Sequence, residues 1–284
     1  MAAEPDGEPA PAKVNLFLHI RGRRADGYHL LESLAVFPSI GDYLWVERSP
    51  TLGLGIDGPF GGTLPVSGDN LVLGAAAALQ RLSGTSAGAA IRLRKNLPVA
   101  SGIGGGSSDA AAALRLLCRH WNVAMPDGLA LSIGADVPVC LAPRPQLMAG
   151  IGEDLTPLPP LPECWIVLVN PLVSVSTGAV FNALASRDNP PGPEMPVGGF
   201  RDFPSLIGWL RAQRNDMQTA AAAICPPIGL ALAAVSHAPL ARMSGSGATC
   251  FALLESARDA DRLAQEVRTA HPGWWVANAP MQGT

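Results

Sequence analysis

The stretch from Asn96 to Leu117, NLPVASGIGGGSSDAAAALRLL, constrains this chain more than any other. Four glycines fall within five positions, Gly102, Gly104, Gly105 and Gly106, and Ser107, Ser108 and Asp109 follow directly. The alanine and leucine run after them reads as a helix. Glycine lets a backbone adopt positive φ and approach a ligand closely. A helix N-terminus adds unpaired N–H groups and the positive end of a dipole. The combination is an anion site, and phosphate is the usual anion. The Ser107 and Ser108 hydroxyls suit a helix cap or a contact with a phosphate-bound metal. Neither common phosphate signature fits. A P-loop needs Gly-Lys-Ser/Thr at its end, and no lysine follows these glycines. A dinucleotide fingerprint needs a third glycine where Ser107 stands. A plain turn before a buried helix is the competing reading; the density of glycines directly before a serine-rich helix start favours phosphate.

Composition limits the function classes. The chain has 284 residues, 48% apolar and 15% charged. That allows one large or two ordinary domains with a sizeable core. A net charge of 20 − 23 = −3 argues against a general nucleic-acid binder. The five cysteines are widely spaced without a CxxC pair, which suits reduced thiols and no zinc site. No apolar run approaches the roughly 20 residues of a membrane span. The expectation is a cytoplasmic protein without a membrane partner. Residues 1–9 are acidic and proline-rich, are not a signal peptide, and are expected to be disordered.

Ala12 to Ile20 reads as a strand in which Val14, Leu16, Leu18 and Ile20 alternate with Lys13, Asn15 and His19. Lys13 is either a solvated edge lysine or a functional cation. Asp26-Gly27 signals a turn before Tyr28 and His29. Two tempting matches fail on context. GLGIDG (Gly53 to Gly58) runs into Pro59 and further glycines where a dinucleotide site needs a helix. GTSAG (Gly84 to Gly88) follows a helix and precedes a strand, the reverse of a nucleophile elbow. Asp136 sits at a helix-end turn before Pro138, either as a cap or as a carboxylate at a site mouth. A strand is expected at Trp165 to Val169, a helix from Ser176, a loop over 187–204, helices over Met217 to Ala223 and Leu230 to Ser236, and a strand–turn–strand over Ala241 to Leu253. Mixed order of strands and helices predicts an α+β fold with two domains, 10–157 and 158–284.

PVASGIGGGSSDAAAAL resembles the second motif of the GHMP small-molecule kinases, P-x-x-x-G-x-G-G/S-S-S-A/D-A. Further motifs stand in order from residue 11 to about 253: PAKxNL at Pro11 to Leu16, R-x-DGYH at Arg24 to His29, KNLP at Lys95 to Pro98, GADVP at Gly134 to Pro138, GxGE at Gly150 to Glu153, and SGSGA at Ser244 to Ala248. Ser101 departs from the smaller residue usual there. Within the family, this set resembles the branch that phosphorylates the 2-hydroxyl of a cytidyl diphosphate polyol in the non-mevalonate route to isoprenoid precursors. A mevalonate- or homoserine-type kinase, or a non-catalytic binding protein of the same fold, is the alternative.

The resemblance implies a ribosomal-S5-like N-terminal domain and a ferredoxin-like C-terminal domain with the site in the cleft. It implies ATP as co-substrate with Mg2+, and assigns no residue to the metal. Pro98, Val99, Ala100, Ser101, Gly102, Ile103, Gly104, Gly105, Gly106, Ser107 and Ser108 would hold ATP. Lys13 and Asp136 match the catalytic pair: Asp136 as base, Lys13 as its electrostatic partner. Asn15, Tyr28, His29, Phe181, Ser246 and Gly247 would bind substrate, with Tyr28 and Phe181 sandwiching the cytosine from separate domains and His29 reading its edge.

Overall fold

The computed structural model describes residues 7–25, 27–64 and 70–281. The first part of the chain carries β1 (Glu8–Pro11), β2 (Val14–Arg23), β3 (His29–Val36), β4 (Gly41–Ser49), β5 (Leu52–Asp57), α1 (Leu71–Ser83), β6 (Gly88–Arg94) and α2 (Gly105–Trp121). Next come α3 (Leu129–Ile133), α4 (Val137–Leu141), β7 (Gln146–Ala149), β8 (Asp154–Pro157) and β9 (Trp165–Asn170). The remainder holds α5 (Thr177–Asn182), α6 (Phe203–Arg211), α7 (Gln218–Ile224), α8 (Pro226–Ala234), β10 (Leu240–Met243), β11 (Cys250–Leu254), α9 (Ala257–Ala270) and β12 (Trp275–Pro280). Among the described residues no helix is long and apolar enough to cross a membrane.

The chain packs as two units that interleave in sequence. Unit 1 takes Met1–Ala12 as far as it is described, Gly41–Val99 and Gly104–Pro143; unit 2 takes Lys13–Ile40, Ala100–Ile103 and Arg144–Thr284. A single cut at 157/158 therefore does not separate them. Residues 1–6 of the segment expected to be disordered lie outside the described residues, but Glu8 and Pro9 are ordered in β1, opposite Leu44 and Tyr43 of β4. The prolines are tolerated because β1 is an edge strand, where a missing N–H breaks no ladder. Glu8 is further tied by Arg115 Nε at 2.5 Å and by Arg119.

Unit 1 is a sheet of order β1-β4-β6-β5 with α1 and α2 packed together. Asn70 caps α1 by accepting from Val72 N at 2.9 Å, and Gly84, at φ 69, ends it. α2 buries Ala110 to Ala113 with Leu114 and Leu117, so small side chains let it lie close to its neighbours. GLGIDG runs along β5, parallel to β6, and ends one residue beyond it. Its last residue, Gly58, sits at φ 89, where a Cβ would meet the Lys95 backbone at 2.7 Å.

Unit 2 holds two antiparallel sheets, β2-β3-β7-β8 and β10-β11-β9-β12. The second has the strand–helix–strand–strand–helix–strand connectivity of a ferredoxin-like sheet. β2 departs from a one-sided strand: its polar residues Asn15 and His19 and the preceding Lys13 are 2%, 1% and 5% exposed. That excludes a solvated edge lysine. The loop expected over 187–204 ends early, because Asp202 and Ser205 form a capping box that starts α6 at Phe203. The helix expected from Leu230 begins at Pro226, proline being suited to a first helical turn.

Candidate active site

In unit 1 the loop's second half becomes the start of α2. Gly104 is the N-cap residue at φ 62, with no side-chain cap, and its carbonyl accepts the first helical bond from Ser108 N at 2.8 Å. Gly106 is exposed and Gly105 buried. Ser108 is 1% exposed, and its Oγ has no hydrogen-bond partner. A helix start with uncapped amides and an orphaned hydroxyl is the geometry of an anion site.

Beneath it, Lys95 Nζ donates to Asp42 Oδ2 at 2.5 Å and to Asp109 Oδ2 at 2.6 Å. A Cβ on Gly105 would lie 3.1 Å from that ammonium. Asp42 Oδ1 accepts from Asn96 N at 2.6 Å and Leu97 N at 2.8 Å, fixing the approach to the loop. Reading the sequence did not find this cluster: Asp42 is 53 positions from Lys95. The one signal was Asp109, a lone charge opening an alanine run.

Asp136 is the N-cap residue of α4, half-buried, and its side chain does not cap the helix. Val137, Val139 and Cys140 bury the helix beside it. At the other end Arg115 Nη1 donates to Cys140 O at 2.8 Å, while its Nη2 donates to Pro9 O at 2.9 Å. The carboxylate thus stands at the start of a one-turn helix anchored by burial and by an arginine.

In unit 2 the loop's first half is pinned. Ser244 Oγ donates to Gly102 O at 3.0 Å and accepts from Asn15 N at 3.1 Å. Thr249 N donates to Ser101 O at 3.1 Å, and Lys13 N to Ile103 O at 2.8 Å. A Cβ on Gly102 would lie 2.5 Å from Gly247 O and 2.7 Å from Ser244 O, so only glycine fits this approach of two turns. Lys13 Nζ donates to Asn15 Oδ1 at 3.1 Å, and Asn15 Nδ2 to Ser33 Oγ at 2.6 Å. The motifs Pro11 to Leu16, Ala100 to Ile103 and Ser244 to Ala248 therefore form one hydrogen-bonded set.

The aromatic residues need a correction. Tyr28, His29 and Phe181 all belong to unit 2, so they are not drawn from separate packing units. The ring stacked on Phe181 is that of His29, with centroids 4.2 Å apart and planes 12° apart. Tyr28 is 57% exposed. Burial, with the Arg23 and Arg187 guanidiniums nearby, holds the His29 imidazole below its ordinary range, and Nε2 is buried without a partner. Thr177, in the first turn of the helix that carries Phe181, shares a 2.8 Å hydrogen bond with Ser246. Glu153 of the GxGE motif accepts from Ile151 N at 2.5 Å and is a turn residue of the β7–β8 hairpin.

Comparison with known proteins agrees with these features. The GHMP kinases N-terminal domain matches residues 70–143, and the GHMP kinases C-terminal model matches 197–273. The chain is similar to the 4-diphosphocytidyl-2-C-methyl-D-erythritol kinase of Cereibacter sphaeroides (strain KD131 / KCTC 12085), with 54% identity over 96% of this chain and 98% of that one. The enzyme of the same name from Ruegeria pomeroyi is 54% identical over 95% of this chain and 96% of that one. A crystal structure of 4-(cytidine 5'-diphospho)-2C-methyl-D-erythritol kinase superposes with a TM-score of 0.80 at 33% identity, covering 98% of this chain and all of the other. With an uncapped glycine-rich helix start, two domain models matched in order and relatives similar along nearly the whole length, the chain belongs to the GHMP kinase family.

Proposed function

We propose that this chain is the ATP-dependent kinase that phosphorylates the 2-hydroxyl of 4-diphosphocytidyl-2-C-methyl-D-erythritol in the non-mevalonate route to isoprenoid precursors. The observation that carries this reading is 54% identity over 96% of the chain to a relative with that name. Phosphoryl transfer needs an aligned hydroxyl, a proton acceptor and neutralisation of charge on the transferring group. Asp136 takes the hydroxyl proton as the alcohol oxygen bonds to the γ-phosphorus and the bond to the ADP oxygen breaks. Lys13 stabilises the charge that develops. The Gly104 to Ser107 amides and the Ser108 hydroxyl receive the phosphates, with residues 98–103 completing the loop.

Tyr28, His29 and Phe181 form the aromatic platform for the cytosine. His29, neutral and with an unpartnered ring nitrogen, is suited to read a base edge. Asn15, Ser246 and Gly247 lie in the hydrogen-bonded set around the pinned half-loop and complete the substrate contacts. Mg2+ would arrive on the triphosphate and neutralise its charge. Among the described residues no group of three or more His, Cys, Asp or Glu side chains forms a metal cage. Five free cysteines suit a cytoplasmic enzyme.

ATP consumption with three acceptors tests the reading: the cytidyl diphosphate substrate, mevalonate and homoserine. Turnover with the first alone is expected. Turnover with either other alcohol, and none with the first, would move the chain to another branch of the family.

A further inference from the structure

The charge cluster under the loop is unusual in its electrostatics. The Lys95, Asp42 and Asp109 side chains are 2%, 0% and 3% exposed. Two carboxylates around one ammonium, out of water, would leave a negative charge uncompensated, which is costly to bury. The carboxylates differ in their surroundings. Asp42 Oδ1 accepts two backbone N–H groups, whereas Asp109 Oδ1 is buried with no partner. Donors stabilise the ionised form and their absence disfavours it. Hydrogen bonding therefore puts the charge on Asp42 and a proton on Asp109.

We infer that Asp109 is a carboxylic acid in the folded protein, and that Lys95, Asp42 and Asp109 form a charge-neutral lock positioning the first turn of α2 and its loop amides. Burial and then Asp42 hold Asp109 well above the carboxylate range against the pull of Lys95. Lys95 and Asp42 are the charged groups facing Asp109. Of the other elements packed on α2, α1 brings Arg81 in its last turn, β4 the exposed Glu47 and Arg48 at its far end, and β1 brings Glu8, which Arg115 and Arg119 take up; α4 brings Asp136 at its N-cap and the buried Cys140 thiol. A neutral lock leaves the positive end of α2 unopposed. An ionised Asp109 would set a buried negative charge directly below amides that must receive phosphate.

The role assigned to the amides rests on reading the loop as the ATP site; the proton on Asp109 does not. Infrared spectroscopy of the full chain is expected to show a protonated carboxyl C=O band that Asp109→Asn removes and Asp136→Asn leaves in place. The linkage sign gives a second readout. A folded value raised above the unfolded one means stability falls as pH rises from about 4 through the folded value. Asp109→Asn does not titrate, so its melting temperature should gain on that of the native protein from about pH 5 to about pH 8. Absence of the band, or a melting gap that does not change with pH, overturns the proton on Asp109. For positioning, Asp109→Ala is expected to weaken ATP binding about tenfold by calorimetry, with Asp109→Asn restoring it to within about threefold of native. Equal weakening in both variants overturns the lock as a positioning element. A native protein that shows the band but binds no ATP refutes the ATP-site reading and, with it, the role given to the amides.

Discussion

Residues 100–103 and residues 104–108 are consecutive, yet their backbones meet different fates. In the first stretch Ser101, Gly102 and Ile103 all give their carbonyls to donors from Thr249, Ser244 and Lys13. The second ends in a helix start with no side-chain cap and a buried Ser108 hydroxyl with no partner. Glycine does different work in each. Gly102 permits backbone to pack on backbone, whereas Gly104 supplies the left-handed turn that opens α2. A glycine-rich motif is thus part scaffold and part receptor, and the hydrogen-bond inventory tells the parts apart.

That contrast can be broken by mutation. Gly102→Ala forces a Cβ into two carbonyl oxygens at positive φ and should cost about 3–5 kcal/mol, lowering the melting temperature roughly 10 °C. A variant that melts normally and loses only ATP affinity would move Gly102 into the receptor half. Gly104→Val places a β-branched residue at φ 62. We expect a stability cost of about 1–2 kcal/mol and, by calorimetry, at least about a tenfold loss of ATP affinity in a folded protein. Unchanged ATP binding would show that the helix start is not the phosphate site. Ala100 is a non-glycine residue at φ 51. Ala100→Gly should relieve strain for a net gain of about 0.5 kcal/mol, offset in part by unfolded-chain entropy. A lower melting temperature would mean that the Ala100 methyl packs usefully in the pinned half.

Much of this was legible in the sequence because local signals agreed with the fold. Asn70 and Gly84 bracket α1, the glycines precede α2, and the failed contexts of GLGIDG and GTSAG are what the strands and helices around them confirm. The misses have physical causes. β1 carries two prolines and survives only as an edge strand. α6 is opened by an Asp202–Ser205 capping box inside a stretch whose glycines and prolines masked it. β2 alternates apolar and polar residues, yet both faces are buried because the Asn15 side chain donates to Ser33 and accepts from Lys13. The Phe181–His29 stack joins residues 152 positions apart, and the Lys95 cluster joins three elements. No window of sequence contains either.

The measurement that bears most directly on the central claim is turnover and ATP affinity of Asp136→Asn, side by side. That change keeps the side chain's shape and removes its capacity to accept a proton. If Asp136 is the base and the Gly104 to Ser108 helix start holds ATP independently, kcat with the cytidyl diphosphate substrate falls roughly 10²–10⁴-fold, while the ATP Kd stays within about threefold. Near-normal turnover in that variant, or a loss of ATP binding equal to the loss of rate, would contradict the division of labour between the carboxylate and the loop.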